Sequence, residues 1–368
     1  MGGFLMPGFY TQSNDRNLYT AKCILYGSAV TAFSVLIMCA HQTQADKEFT
    51  EMKKNKIIKA IAITLGVIAF LGVAGSAAMG GYVADRILHQ NAGKDTHDNS
   101  IKQLEIWGYD TEGFEAKYKG AEVKAEAADG NKVPGTLFDM GSDTCVILVH
   151  GAGGDRVCTY PLAEEYLKRG YDVIAIDQRG SGNNPDDRVT FGICEKLDVE
   201  AMVAYARVTL GNSKVIVHGQ SMGAQTTVLY AANVTPGTAG AADAVICDSP
   251  VPGMELILKE MFGDGDTDSF MAVYLTGTSK IFMRLAYGID YADGDTIAKA
   301  SVIRIPTLII CSDKDEVCLP EQVCAVYGNI ACEDKAIIHF DSAHIEGVID
   351  DPEGYMDGVE NFLKNAGM

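Results

Sequence analysis

No Cys-x-x-Cys pair occurs among the ten cysteines of this 368-residue chain, so the common sequence signal of a thiolate metal or redox site is missing. No internal repeat or low-complexity tract is visible, which argues against a solenoid or a linker-like polymer. Basic stripes are missing as well. Residues 101–368 carry 42 Asp plus Glu against 21 Lys plus Arg, and an acidic surface of that kind repels phosphate backbones. Nucleic acid is therefore not an expected partner. The first hundred residues differ in sign, with 9 basic against 7 acidic side chains.

Charge is absent altogether from Ala60 to Ala84, a run of 25 residues. A bilayer core needs about 20 helical residues, so this run can cross a membrane. Lys53, Lys54, Lys56 and Lys59 precede it and favour a cytoplasmic start, with the rest of the chain on the far side as a single-pass protein of the cell membrane. A cleaved export signal, and hence secretion, is the competing reading, because Ala74–Ala78 offers small residues at which a signal could be cut. Residues 52–84 thus form a basic segment and an anchor or signal, and Met52 resembles a natural start. Residues 1–51 are then an upstream extension. Its own uncharged stretch, 23–40, can form a second membrane helix, with the lysine-rich segment as the turn of a hairpin. Residues 85–120 are polar and read as a linker or juxtamembrane segment.

From residue 121 the pattern changes. Ala121–Ala127, turn residues at Ala128–Asn131 and Lys132–Phe138 read as an opening hairpin. Short β-branched runs then alternate with helical patterns: Cys145–Val149, a helix near 161–169, Tyr171–Ile176, a helix near 194–210, Val215–Val217, Ala244–Cys247 and Pro306–Cys311. Such alternation implies a mostly parallel sheet with helices on both faces. It lapses between 249 and 304, where Met254–Tyr287 is rich in methionine, aliphatic and aromatic residues. This segment reads as a helical cap of the 121–368 domain, suited to an apolar acyl group.

The most informative stretch is Gly219-Gln220-Ser221-Met222-Gly223, between a β-branched run and a helical pattern. A serine flanked by glycines at a strand-to-helix turn is the signature of a nucleophile elbow, because the bend leaves room only for glycine beside it. An ordinary helix-capping serine is the plainer alternative. His150-Gly151-Ala152-Gly153-Gly154 follows the run Cys145–Val149 and can aim backbone N–H groups at an anion; Ala152 and Met222 are the expected oxyanion donors. The acidic turn Ser312–Val317 offers Asp313 and Asp315 as an orienting acid. Of the seven histidines, only His344 falls in a loop behind a last strand, Ala336–Phe340, where a general base can reach back to a serine.

With Ser, Asp and His in that chain order, the sequence resembles the α/β-hydrolase superfamily over roughly residues 120–366. Ser221-Met222-Gly223-Ala224, with Asp177-Gln178-Arg179-Gly180-Ser181-Gly182 upstream, is similar to bacterial membrane-anchored or secreted hydrolases of the serine aminopeptidase-like and acyl-hydrolase-like groups. Two positions depart from that pattern, Cys311-Ser312 before the acidic turn and Ala224 after the elbow. The resemblance implies an α/β-hydrolase fold and a cofactor-free serine hydrolase with Ser221, Asp315 and His344 as triad. Asp315 fits the superfamily spacing, which leaves Asp313 to shape the turn. The expected substrate is a small-molecule or peptide acyl compound, an ester or, with the same triad, an amide. A non-catalytic membrane protein retaining the fold is the alternative from another class.

Metal is not expected. Asp264, Asp266 and Asp268 open like a calcium loop, but Ser269 and Leu275 stand where glycine and glutamate are required. Cys158, Cys194, Cys318, Cys324 and Cys332 are available for disulfides in an exported domain.

Overall fold

The computed structural model describes residues 29–368, with side chains from residue 34. The chain divides into two compact units, Met1–Gly75 and Ser76–Met368. In the first, the described residues are helical, belonging to α1, Ala29–Leu88. This helix is long and apolar enough to cross a membrane, a property that an anchor and a signal sequence share. The lysine-rich segment lies inside α1 and not at a turn. Its neighbours Glu48, Glu51, Met52 and the lysines are all strong helix formers, with no proline or glycine to break the run. The expected hairpin is therefore not formed over residues 29–59, and the start of the 23–40 stretch lies outside the described residues.

The second unit is built on an eight-stranded sheet in the order β1-β2-β4-β3-β5-β6-β7-β8. The strands are Ala121–Glu126, Lys132–Phe138, Thr144–Val149, Asp172–Ile176, Lys214–Gln220, Ala244–Asp248, Thr307–Ser312 and Lys335–Phe340. β1 and β2 pair antiparallel, as does β2 with β4; all other pairs are parallel. Buried on both faces, the central strands read as continuous apolar runs. β3 shows the two-residue period directly: Cys145, Ile147 and Val149 enter one core cluster, Val146 and Leu148 the other.

The first cluster is covered by α5 (Glu195–Tyr205), α6 (Met222–Asn233) and α9 (Pro320–Asn329). The second is covered by α4 (Tyr160–Lys168) and α10 (Pro352–Asn365). Between β6 and β7 the chain forms α7 (Met254–Gly263) and α8 (Phe270–Tyr287), followed by short helical turns. From β3 the chain moves to one side to make β4 and then returns to the other side for β5. The loops after β3 and β5 therefore lie side by side at the carboxyl ends of the strands, where open α/β sheets bind ligands.

Residues 85–120 are not a linker. They form α2 (Thr96–Ile106) and α3 (Thr111–Lys117), capped by the Asp95 and Asp110 carboxylates. Leu104 and Phe114 are buried in the second core cluster. The polar composition hides a narrow buried stripe, Thr96, Ser100 and Leu104, spaced by one helical turn each.

Candidate active site

Ser221 sits between the end of β5 and the start of α6 with φ 56° and ψ −119°. A β-carbon side chain at positive φ is strained, and such strain persists only where the surroundings enforce it. Here the enforcement is close packing. A Cβ on Gly219 would collide with the Gly223 carbonyl, and one on Gly223 with the Val149 carbonyl. The Ser221 N–H donates to the Asp248 carbonyl oxygen at 2.9 Å, which fixes the turn to the neighbouring strand.

Ser221 Oγ lies 2.8 Å from His344 Nε2, and His344 Nδ1 lies 2.7 Å from Asp315 Oδ2. The structure thus brings together three side chains that lie up to 123 residues apart. The other Asp315 oxygen accepts from the Val317 and Cys318 N–H groups at 2.8 Å each. Burial raises the proton affinity of this carboxyl, but the hydrogen bond and charge of His344 and the two N–H groups outweigh it and hold Asp315 below the ordinary carboxylate range. An ionised Asp315 keeps the proton of a neutral imidazole on Nδ1, so Nε2 faces the serine hydroxyl as an acceptor.

Ala152 lines the same cavity as Ser221, in the glycine-rich loop after β3, and Met222 follows Ser221 at the first position of α6. Neither N–H donates to a backbone carbonyl within the described residues, as expected for the Met222 amide in the first turn of a helix. The loop is braced from below. Gln178 Nε2 donates to the His150 carbonyl at 2.6 Å, the Gln178 N–H donates to His150 Nε2 at 3.0 Å, and Thr226 on α6 donates to Gln178 Oε1 at 2.7 Å. Next to Gln178, the buried guanidinium of Arg179 is clamped by Asp198, Asp129 and Asp186. The Asp177–Gly182 motif therefore has a structural explanation.

The cavity at Ser221 measures about 590 Å³ and is lined by Asn99 and Gln103 of α2, by Trp107 just past its end, by the glycine-rich loop, Val317 and Ala343–Glu346. The Trp107 N–H donates to Glu346 Oε1 at 3.0 Å across its rim. No residue of 254–287 lines it, so the segment expected to cover the serine leaves that role to α2. This role was not expected, because the polar residues of α2 read as part of a linker or juxtamembrane segment. Cys158 also lines the cavity, but burial pushes its thiol up to about 12, which leaves it protonated. A larger cleft of about 930 Å³, lined among others by His97, Tyr118 and Arg156, contains none of the three side chains.

Behind Ser221 lies a buried polar chain that sequence reading missed. Tyr166 OH is 2.9 Å from His218 Nδ1, His218 Nε2 is 3.0 Å from Tyr355 OH, and Tyr355 OH donates to Asp248 Oδ2 at 2.9 Å. Burial lowers His218 to about 3 and raises Asp248 to about 6, the latter against hydrogen bonds from Gln220 and Tyr355. Strand residues in an apolar run carry no sequence signal for such a partnership.

His339 pairs with Asp313 and not with the serine, Nδ1 to Oδ1 2.7 Å. Ligand atoms of Cys311, Asp313 and His339 lie within 4.8 Å of one another, a group of metal-ligand types outside the cavity. All nine described cysteines are free thiols, so none of the expected disulfides is formed.

The family described as alpha/beta hydrolase fold matches residues 144–276, from β3 through the elbow into α8. Over that stretch the chain matches the α/β-hydrolase superfamily. This hydrolase is 28% identical over 238 residues to the thermostable monoacylglycerol lipase of Bacillus sp. (strain H-257), a match spanning 60% of the chain and 91% of that protein. It is 26% identical over 228 residues to the uncharacterized protein YqkD of Bacillus subtilis, across 61% of the chain and 72% of the relative. Among solved structures it superposes on the Pyrococcus furiosus esterase Pf2001 with a TM-score of 0.55 at 22% identity, covering 70% of this chain and 96% of that one. At that identity the likeness speaks for the fold.

Proposed function

We propose that this hydrolase is a membrane-anchored serine esterase acting on small acyl esters outside the cytoplasm. The observation that carries the reading is the unbroken hydrogen-bond chain from Ser221 Oγ through His344 to Asp315, at 2.8 and 2.7 Å. His344 Nε2 takes the hydroxyl proton as Ser221 Oγ attacks the acyl carbonyl, and Asp315 stabilises the imidazolium that results. The Ala152 and Met222 N–H groups hold the developing oxyanion. Collapse of the tetrahedral intermediate expels the alcohol, which receives the proton from Nε2. Water then attacks the acyl carbon as it gives a proton to His344, and Ser221 Oγ leaves with that proton from Nε2 as the acid is released.

The ester preference is supported by the lipase name of the Bacillus sp. relative and by a cavity that mixes Asn99, Gln103 and Glu346 with Trp107, Val317 and Ile345. Such a lining suits an acyl group joined to a polar alcohol. The anchor reading rests on the uncharged 60–84 run and the lysines before it. A fluorophosphonate probe tests the chemistry. Wild-type protein should be labelled on Ser221, and Ser221→Ala should lose both labelling and p-nitrophenyl ester turnover while remaining folded. Folded wild-type protein that resists the probe would favour a non-catalytic role, and faster turnover of aminoacyl amides than of esters would favour a peptidase.

A further inference from the structure

The helix α8 is apolar on its outer as well as its inner side, with Leu275, Phe282 and Met283 packed on a core cluster. Its buried residues, Ala272, Thr276, Ser279 and Met283, are small or polar in three cases of four and repeat every three or four positions. The opposite side presents Phe270, Ile281 and Leu285, whose exposures are 76%, 62% and 82%. An amphipathic helix on a water-facing surface carries polar residues on its outer side, and a contiguous exposed apolar stripe marks an interaction surface.

The stripe has a neighbour that says what covers it. The last turns of α1, from Ser76, lie along α8 and belong to the same compact unit. Gly80 packs so closely that a Cβ there would strike the Thr278 carbonyl, a Cβ on Gly81 would stand 3.0 Å from the Phe282 ring, and Ser76 Oγ lies 3.0 Å from Tyr274 OH. Small residues that admit a close backbone approach, together with an interhelical hydroxyl pair, are the packing devices of helices in lipid. Met79 and Tyr82 of α1 are themselves exposed and extend the apolar surface. The apolar stripe of α8 thus stands beside Ser76–Ala84, the last residues of the uncharged run.

We propose that α8 is an interfacial helix whose Phe270–Ile281–Leu285 face lies in the headgroup and acyl boundary of the bilayer that holds α1. The inference rests on the anchor reading. At 18 residues and with Lys280 and Arg284 on its flank, α8 does not span the bilayer; packed lengthwise against the last turns of α1, it meets the boundary with its apolar side. Both cations are paired, Lys280 with Glu255 at 2.6 Å and Arg284 with Asp290 at 3.3 Å, so the flank turned from the lipid is ionic.

The test uses the full chain in phosphatidylcholine vesicles, with Trp107→Phe removing the single native tryptophan. Leu285→Trp reports on α8, Ile281→Trp repeats the measurement one turn away, and Leu71→Trp reports on the anchor. Lipids brominated near the headgroup should cut the emission of the Leu285→Trp and Ile281→Trp proteins roughly twofold, and aqueous acrylamide should have little effect on either. Quenching by acrylamide but not by bromolipid overturns the proposal. So does shielding from both quenchers, which would mean that a second copy or another protein covers the stripe. If the Leu71→Trp protein is quenched by bromolipid and the α8 variants are not, the interfacial helix falls and the anchor stands. If none is quenched, the anchor reading falls and takes the proposal with it.

Discussion

Asp313 is held by His339 at the mouth of β7 and β8, Nδ1 to Oδ1 2.7 Å, two residues before Asp315 makes a bond of the same length to His344. The two Asp–His pairs look alike in the sequence, and only the second continues to a serine. The Asp313 N–H is tied to the Phe340 carbonyl at 2.8 Å, which keeps the first pair on the strand ends. Asp315→Asn is expected to lower kcat about 10⁴-fold, because an amide leaves the imidazole in the wrong tautomer. Asp313→Asn is expected to stay within a few-fold of wild type. Steady-state ester hydrolysis by both variants decides it, and equal losses would remove the distinction.

What could be read in advance was whatever depended on local pattern. The β-branched runs gave the parallel strands, and the glycines at 219 and 223 gave the elbow because a turn that tight admits nothing larger. The order Ser, Asp, His reflected strand topology. Three things escaped for physical reasons. α2 carries only one large apolar residue on its buried stripe, so its periodicity was too faint to separate it from a linker. The segment 254–287 was rich in apolar residues, but composition does not say which face meets the protein. The Tyr166–His218–Tyr355–Asp248 chain joins residues as far as 137 positions apart, and no spacing rule links them.

The elbow predicts its own intolerance. Gly223 lies against the carbonyls of Val149, which ends β3, and of His150, which Gln178 holds in place, so neither can move aside. Gly223→Ala should cost at least about 3 kcal/mol, at the upper end for overpacking, and should yield little soluble protein. Gly277→Ala is the control, since nothing lies within 4 Å of a Cβ there. Thermal unfolding of the detergent-solubilised chain compares the two, and matching transition temperatures would sink the packing argument.

Arg179 is buried and held by carboxylates from three loops and helices. Replacing the guanidinium by an apolar group leaves Asp198 buried with only Asn131 as partner. Arg179→Met should destabilise the fold by about 3–5 kcal/mol, the range for breaking a buried pair from one side. Urea unfolding followed by circular dichroism measures the loss. Removing the salt bridge at the exposed Lys102–Asp98 pair should leave the urea midpoint almost unchanged.

Asp248 predicts a pH effect with a definite sign. Burial lifts its carboxyl to about 6, opposed by Gln220, Tyr355 and the charge of His344 and assisted by the charge of Asp315. Below the unfolded value of about 3.9 the group is protonated in both states and contributes nothing. As pH rises from there toward 6, the unfolded chain releases its proton while the folded chain keeps it, so stability falls across that window and levels off above it. A separation of about two pH units corresponds to roughly 3 kcal/mol. Asp248→Asn abolishes the titration, so the wild type should lose stability relative to the variant between pH 4 and 6, with no further divergence above. Urea midpoints at half-unit steps measure the difference. Curves that run parallel from pH 4 to 7 would show that Asp248 ionises in the folded protein as readily as in the unfolded chain.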